Sequence, residues 1–130
     1  MQISLTYNEL SLEIKKRTNL DIEMEYISWN KVKVTAYIKV PIIGRQGFGT
    51  TVEVVEFEGL TLNLKSPSDT LLDIASKFIK IEIPEYIKIE DSEIKVHLEE
   101  IDKLKKVFEA VRPTRLHFDE NKVYLDGELL

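Results

Sequence analysis

Apolar and polar residues alternate along much of this chain, and this period of two constrains the fold more than any other feature of the sequence. Between positions 31 and 40, valine, alanine and isoleucine occupy every second position, with lysine, threonine and tyrosine between them. Successive side chains of a strand point to opposite faces of a sheet, so this pattern predicts a strand with one apolar and one polar face. Strands of this kind are typical of antiparallel sheets that are covered on one side.

Short polar connections join the alternating segments into pairs, which predicts β-hairpins. The pairs are 22–26 with 32–40, 52–57 with 60–64, 87–89 with 94–98, and 116–118 with 123–125. Within the second pair the apolar parity shifts between Val54 and Val55–Phe57, and this shift predicts a β-bulge.

Three other segments have helical periodicity. Thr6 and Glu9 have the spacing of a capping box, so we expect the first helix to begin there and to end near Thr18–Asn19. A second helix begins at Ser66, and a third covers Ile101–Val111. Each helix precedes a hairpin, and the three helix–hairpin units are either a true internal repeat or a coincidence of short elements.

These elements predict an α+β fold: a curved, mainly antiparallel β-sheet built from hairpins, with about three helices packed on one face. The chain has 130 residues, which fits a single globular domain over residues 1–130. A domain of this size buries enough surface to fold without a disulfide or a structural metal, and the sequence contains no cysteine.

Charge and hydropathy narrow the classes of function. The 23 acidic and 18 basic residues give a net charge of −5, which argues against a nucleic-acid partner because phosphate binding depends on a basic surface. No basic segment followed by an apolar stretch opens the sequence, so no signal peptide is predicted. No apolar run approaches the roughly 18 residues of a membrane helix, so we predict no membrane span and a cytoplasmic protein. Abundant Ile, Lys and Glu are typical of a thermophile or of an AT-rich genome.

Catalytic signatures are sparse. The segment Gly44–Gly49 lacks the Lys-Ser/Thr ending of a P-loop and joins two strands instead of opening a helix, so no nucleotide or other cofactor is predicted. His97 and Glu99 lie two positions apart on one strand face, and His117 and Asp119 do the same. Each pair supplies two ligands, whereas a metal site needs about three. We therefore predict no metal and no catalytic residue, and keep an enzyme that uses His97, His117 and nearby carboxylates as an alternative.

The segment 41–50 is explained least well by folding alone. Three of the five glycines lie within six residues, next to several large apolar side chains. In one interpretation this segment is structural: it folds back over the core or extends a strand. In the other it is a surface loop that contacts a partner chain, a symmetry mate or an apolar ligand. Trp29, at a predicted hairpin turn, is expected to be half exposed and to offer a second contact. The predicted contact residues are Ile42, Ile43, Arg45, Phe48 and Trp29.

Three hypotheses on function follow. The first is a non-enzymatic module for protein interaction or self-association that uses the apolar, glycine-rich loop 41–50. The alternative is a carrier or sensor of an apolar small molecule or lipid, bound between the sheet and the helices that carry Phe78 and Phe108. It requires a cavity, and a solid core would count against it. The second alternative is the histidine enzyme, which requires His97 and His117 to lie within reach of each other or of a shared pocket.

Overall fold

Nine strands and two α-helices make up the part of the chain that the computed structural model describes, which is residues 1–66, 85–90 and 93–130. The elements are β1 (Gln2–Thr6), α1 (Tyr7–Thr18), β2 (Asp21–Ser28), β3 (Lys31–Val40), β4 (Gly44–Glu58), β5 (Thr61–Lys65), β6 (Ile87–Glu90), β7 (Glu93–His97), α2 (Lys105–Ala110), β8 (Val111–Phe118) and β9 (Lys122–Leu129). Two short 3₁₀ turns, Leu98–Glu100 and Asp102–Leu104, lie between β7 and α2.

The strands form two antiparallel sheets. One has six strands in the order β2-β3-β4-β5-β7-β6, and the other has three in the order β1-β9-β8. The predicted α+β fold with mainly antiparallel pairing is confirmed, but the single sheet is wrong. The β8–β9 hairpin does not pair with the six-stranded sheet and forms the second one with β1, a strand that was not predicted and in which Ile3 lies opposite Leu125 of β9.

All four predicted hairpins are present, as β2–β3, β4–β5, β6–β7 and β8–β9. The predicted bulge is confirmed by a register shift between Val54 and Glu56. The interpretation of 41–50 as one loop is wrong, because only residues 41–43 form a turn and β4 begins at Gly44. Gly44 has a φ of +92°, a conformation that glycine adopts without a steric penalty.

The helices agree with the prediction in part. The capping box is present: Thr6 Oγ1 accepts from the Glu9 N–H, and the Glu9 carboxylate accepts from the Thr6 N–H. The helix predicted to begin at Ser66 lies outside the described residues. The predicted third helix is much shorter, since α2 has six residues and Val111 instead enters the β8–β9 ladder opposite Leu129. The described residues thus contain two α-helices where about three were expected.

A buried apolar cluster lies where the two sheets meet. It comprises Val32, Val54, Leu62, Phe118 and Val123. The Phe118 N–H donates to the Trp29 carbonyl oxygen over 2.8 Å, which ties the end of β8 to the β2–β3 turn. Within residues 1–66, 85–90 and 93–130, no helix has the length and apolar character needed to cross a bilayer.

Candidate apolar ligand site

A cavity of about 420 Å³ lies between the two sheets and α1. Its walls are Ile3, Ser4, Leu5, Leu10, Ile14, Ile22, Met24, Val32, Val34, Val52, Val54, Leu64, Leu116, Phe118, Val123 and Leu125. Among these described lining residues, Ser4 alone has a polar side chain and none is charged. The cavity therefore suits an apolar molecule and offers no partner for a buried charge.

The alternation of the strands places these side chains. In β1, Ile3 and Leu5 face the cavity from the same side of the strand, and Val123 and Leu125 do so from β9. From α1, Leu10 and Ile14 lie one helical turn apart and close one wall of the cavity. The apolar faces that the sequence predicts thus enclose a space instead of meeting in a fully packed core.

A space of this size is unusual in a small domain. Native interiors are close-packed, and voids larger than a water molecule are few. The space is partly open to solvent, so a molecule that fills it would remove apolar surface from water and stabilise the folded chain.

The tip of the β3–β4 hairpin is the second apolar feature. Ile42 is fully exposed and Ile43 is 68% exposed, so neither side chain folds back over the core. Ile42 has a φ of +74°, in the left-handed region that β-branched residues avoid. The chain therefore holds a large apolar side chain in water on a strained backbone.

The other predicted contact residues lie elsewhere. Arg45 stacks on the Tyr37 ring, with its guanidinium carbon 4.1 Å from the ring centroid. Phe48 lies in β4 opposite the buried Ala36 and is itself half-buried, so it belongs to the inner face of the sheet. Trp29 lies in the β2–β3 turn and is 54% exposed, as predicted, with Arg115 over its ring at 4.9 Å. The five residues therefore do not form one surface at the hairpin tip.

The two histidines lie on different sheets. His97 on β7 contacts Thr61 and Glu99, with Nδ1 3.2 Å from the hydroxyl and 3.4 Å from the carboxylate. His117 on β8 pairs with Asp126 of β9 over 2.9 Å, whereas the Asp119 carboxylate, two positions along the chain, accepts from the Tyr124 hydroxyl. In the part of the chain that is described, no three His, Asp or Glu side chains come together as a metal site requires.

A hydrogen-bond network at the β8–β9 turn connects α1 to the three-stranded sheet. The Tyr7 hydroxyl of α1 donates to the Asp119 carbonyl oxygen, and the Tyr124 hydroxyl donates to the Asp119 carboxylate. Burial of the Tyr7 hydroxyl, together with the nearby Asp119 carboxylate, raises the pKa of Tyr7 to about 12. The Tyr124 hydroxyl and the backbone N–H of Asn121 hold the pKa of Asp119 below its usual value.

A wider groove of about 780 Å³ lies beside the 3₁₀ turns, but its chemistry is different. Its lining includes Arg17, Lys88 and Lys105 together with the acids Glu85, Glu99 and Asp102. Lys105 already pairs with Asp102 over 3.2 Å. Charges of both signs thus line this groove, so its lining favours neither an anionic nor a cationic ligand.

Sequence reasoning located part of the cavity and missed the rest. It predicted an apolar site between sheet and helices, but assigned its walls to Phe78, which lies outside the described residues, and to Phe108. Phe108 lines a separate, smaller cavity. The β1 residues Ile3 and Leu5 were missed, although their alternation with Ser4 just before the capping box is a weak strand signal. The chain matches no family model, no curated protein and no solved structure at a significant level.

Proposed function

We propose that this protein binds an apolar small molecule or lipid in the cavity between the two sheets and α1, as a carrier or sensor. The observation that carries this proposal is the cavity itself, about 420 Å³ and lined by apolar side chains. This volume falls within the range of about 300–1,000 Å³ that ligand pockets have. An apolar cavity about a third of that size can stay dry and still bind an apolar guest.

A fluorescence titration with the neutral probe N-phenyl-1-naphthylamine tests the proposal. The expected result is saturable binding of one probe per chain, with a rise in the thermal midpoint of unfolding because the probe binds only the folded state. The variant Val34→Phe places a ring in the cavity and is expected to weaken binding at least about tenfold.

The matched control is Val55→Phe, since Val55 follows the buried Val54 on the same strand and is 45% exposed. This variant is expected to bind the probe like the wild type. If Val34→Phe fails to fold, Ile14→Phe on α1 fills the same cavity from the opposite wall. Unchanged binding by a folded cavity variant, or no binding by the wild type, would overturn the proposal.

The second candidate is the module for protein interaction or self-association, for which the exposed tip of the β3–β4 hairpin is the supporting observation. A second copy of the chain is the partner that can be tested directly. Ile43→Asp is expected to abolish association in sedimentation velocity while the thermal midpoint stays nearly constant. Leu12→Asp, at a 55% exposed position on α1, is the control. A wild type that stays monomeric at high concentration would reject self-association.

The histidine enzyme has no comparable support. Among the described residues, His97 and His117 have different partners on different sheets, so the requirement for a shared pocket is not met.

A further inference from the structure

A smaller apolar cavity, of about 190 Å³, adjoins the first one. Its walls are Met1, Ile3, Leu98, Leu104, Val107, Phe108, Val111, Pro113, Leu125, Asp126 and Gly127. Ile3 and Leu125 line both cavities. These two residues lie opposite each other in the β1–β9 ladder, so their side chains stand side by side at the boundary between the two spaces.

Strand β9 forms a continuous wall of both cavities. Alternate residues of a strand face the same side, and Val123, Leu125 and Gly127 of β9 follow this spacing from the larger cavity into the smaller one. At about 3.3 Å per residue, these positions span roughly 13 Å. The combined space is therefore elongated along β9 and narrows at Ile3 and Leu125.

We infer that the two cavities form one site for a linear hydrocarbon chain, which passes the Ile3–Leu125 pair and fills both spaces. This inference rests on the proposed function and specifies its ligand class. A flexible chain can pass a constriction formed by two aliphatic side chains, whereas a compact ring system fills the larger cavity alone. The inference thus favours an acyl, alkyl or isoprenoid chain over a compact aromatic or polycyclic molecule.

The charges around the site determine where the polar end of such a ligand lies. Two ionisable groups belong to the described residues that line either cavity: the Asp126 carboxylate, and the Met1 ammonium group, which donates to the Gly127 carbonyl oxygen over 2.9 Å. The Asp126 carboxylate is already held by the Gln2 amide at 2.8 Å and by His117 at 2.9 Å. Met1 and Val107, which line the smaller cavity, are 55% and 40% exposed. The polar end of the ligand therefore stays at this exposed end, in water.

Competition by linear alcohols against N-phenyl-1-naphthylamine tests the inference. Octan-1-ol, dodecan-1-ol and hexadecan-1-ol differ only in chain length. Each methylene that enters an apolar space is expected to tighten binding about fourfold. The decisive comparison is between the wild type and variants that close either the smaller space or the constriction between the two spaces.

Val107→Trp places an indole in the smaller cavity from a partly exposed position on α2. It is expected to weaken hexadecan-1-ol at least about tenfold and to leave the probe, which lies in the larger cavity, unchanged. Val55→Trp, at a similarly exposed valine outside both cavities, is the control. A second variant, Ile3→Trp, closes the constriction between the two cavities. Its control is Ile27→Trp, because Ile3 and Ile27 are both 48% exposed.

The outcomes separate this inference from the proposed function. If folded Val107→Trp and Ile3→Trp bind hexadecan-1-ol like the wild type while the probe still binds, the two-cavity site is wrong and the larger cavity remains a ligand site. If the wild type binds neither probe nor alcohol, both proposals fail. Selective loss of the long alcohol in both variants supports the linear chain.

Discussion

Ile3 of β1 lies directly opposite Leu125 of β9, and these two side chains form the boundary between the two apolar cavities. β1 is an edge strand of its sheet, and Ile3 is 48% exposed. The wall between the cavities and the solvent is therefore one strand thick at this position.

Replacement of Tyr7 by Phe tests how firmly α1 is held over the cavity. The Tyr7 hydroxyl donates to the Asp119 carbonyl oxygen, and loss of this bond is expected to cost about 1 kcal/mol at neutral pH. The wild type should also lose stability as the pH rises from about 10 towards 12. The reason is that the raised pKa of Tyr7, about 12, favours the neutral hydroxyl in the folded state.

Urea unfolding of both proteins at neutral and alkaline pH measures these effects. The difference in free energy of unfolding between the wild type and Tyr7→Phe is expected to shrink across the alkaline window. A constant difference would mean that the Tyr7 hydroxyl titrates alike in the folded and unfolded states.

The loss of stability at acidic pH depends in part on Asp119. The Tyr124 hydroxyl and the Asn121 N–H lower the pKa of Asp119, so its ionised form stabilises the fold above the unfolded pKa of about 4. That contribution is lost as the pH falls through the lowered folded pKa. Asp119→Asn should therefore be less stable than the wild type at neutral pH, and the difference should disappear near pH 2.

Thermal unfolding between neutral pH and about pH 2 measures this dependence. Glu120→Gln, in the same turn, removes the same charge and controls for the change in net charge. Equal pH profiles for Asp119→Asn and Glu120→Gln would contradict the assigned role of Asp119.

Gly127 tests the packing between β9 and β8. An added Cβ would lie 2.7 Å from Val111 Cγ1 and 3.2 Å from the Arg112 carbonyl oxygen, and the latter is backbone that cannot rotate away. Gly127→Ala is expected to destabilise the protein by about 1–3 kcal/mol. Gly47→Ala is the comparison, since its new Cβ would meet the Tyr37 ring, a side chain that can shift. Denaturant unfolding that gives equal losses for the two variants would count against this difference.

The sequence predicted those elements whose signals are local. Thr6 and Glu9 defined the start of α1, and the alternation between positions 31 and 40 defined β3. The start of β4 was missed because Gly47 and Gly49 occupy positions where side chains normally reveal the period of two. In the structure the Tyr37 ring lies over Gly47 from the neighbouring strand, and this contact between distant residues is not visible in sequence.

The cavity could be predicted only in outline. Val34, Val52 and Leu116 have the same alternating pattern whether their side chains meet or leave a space between them. The volume depends on the distance between the two sheets, which are joined by contacts between residues far apart in the sequence, such as the bond from the Phe118 N–H to the Trp29 carbonyl oxygen. No local pattern encodes that distance, whereas the apolar faces themselves follow from the period of two.

Replacement of Ile42 by Asn tests whether the native isoleucine at the hairpin tip lowers the stability of the fold. Ile42 has a φ of +74° and a fully exposed side chain, so it contributes strain and buries no surface. Asn adopts the left-handed conformation more readily, and Ile42→Asn is expected to raise the free energy of unfolding by about 1 kcal/mol. Ile43→Asn is the matched control, because Ile43 is also exposed but does not have a positive φ.

Urea unfolding of the two variants decides the question. A gain confined to Ile42→Asn means that the native isoleucine lowers the stability of the isolated chain. Strained residues of this kind persist where they serve a function, so this result would strengthen the case that the tip contacts another protein. Equal stabilities for Ile42→Asn and Ile43→Asn would show that the backbone of Ile42 is not strained. The proposal that the tip contacts another protein would then depend only on the exposure of the two isoleucines.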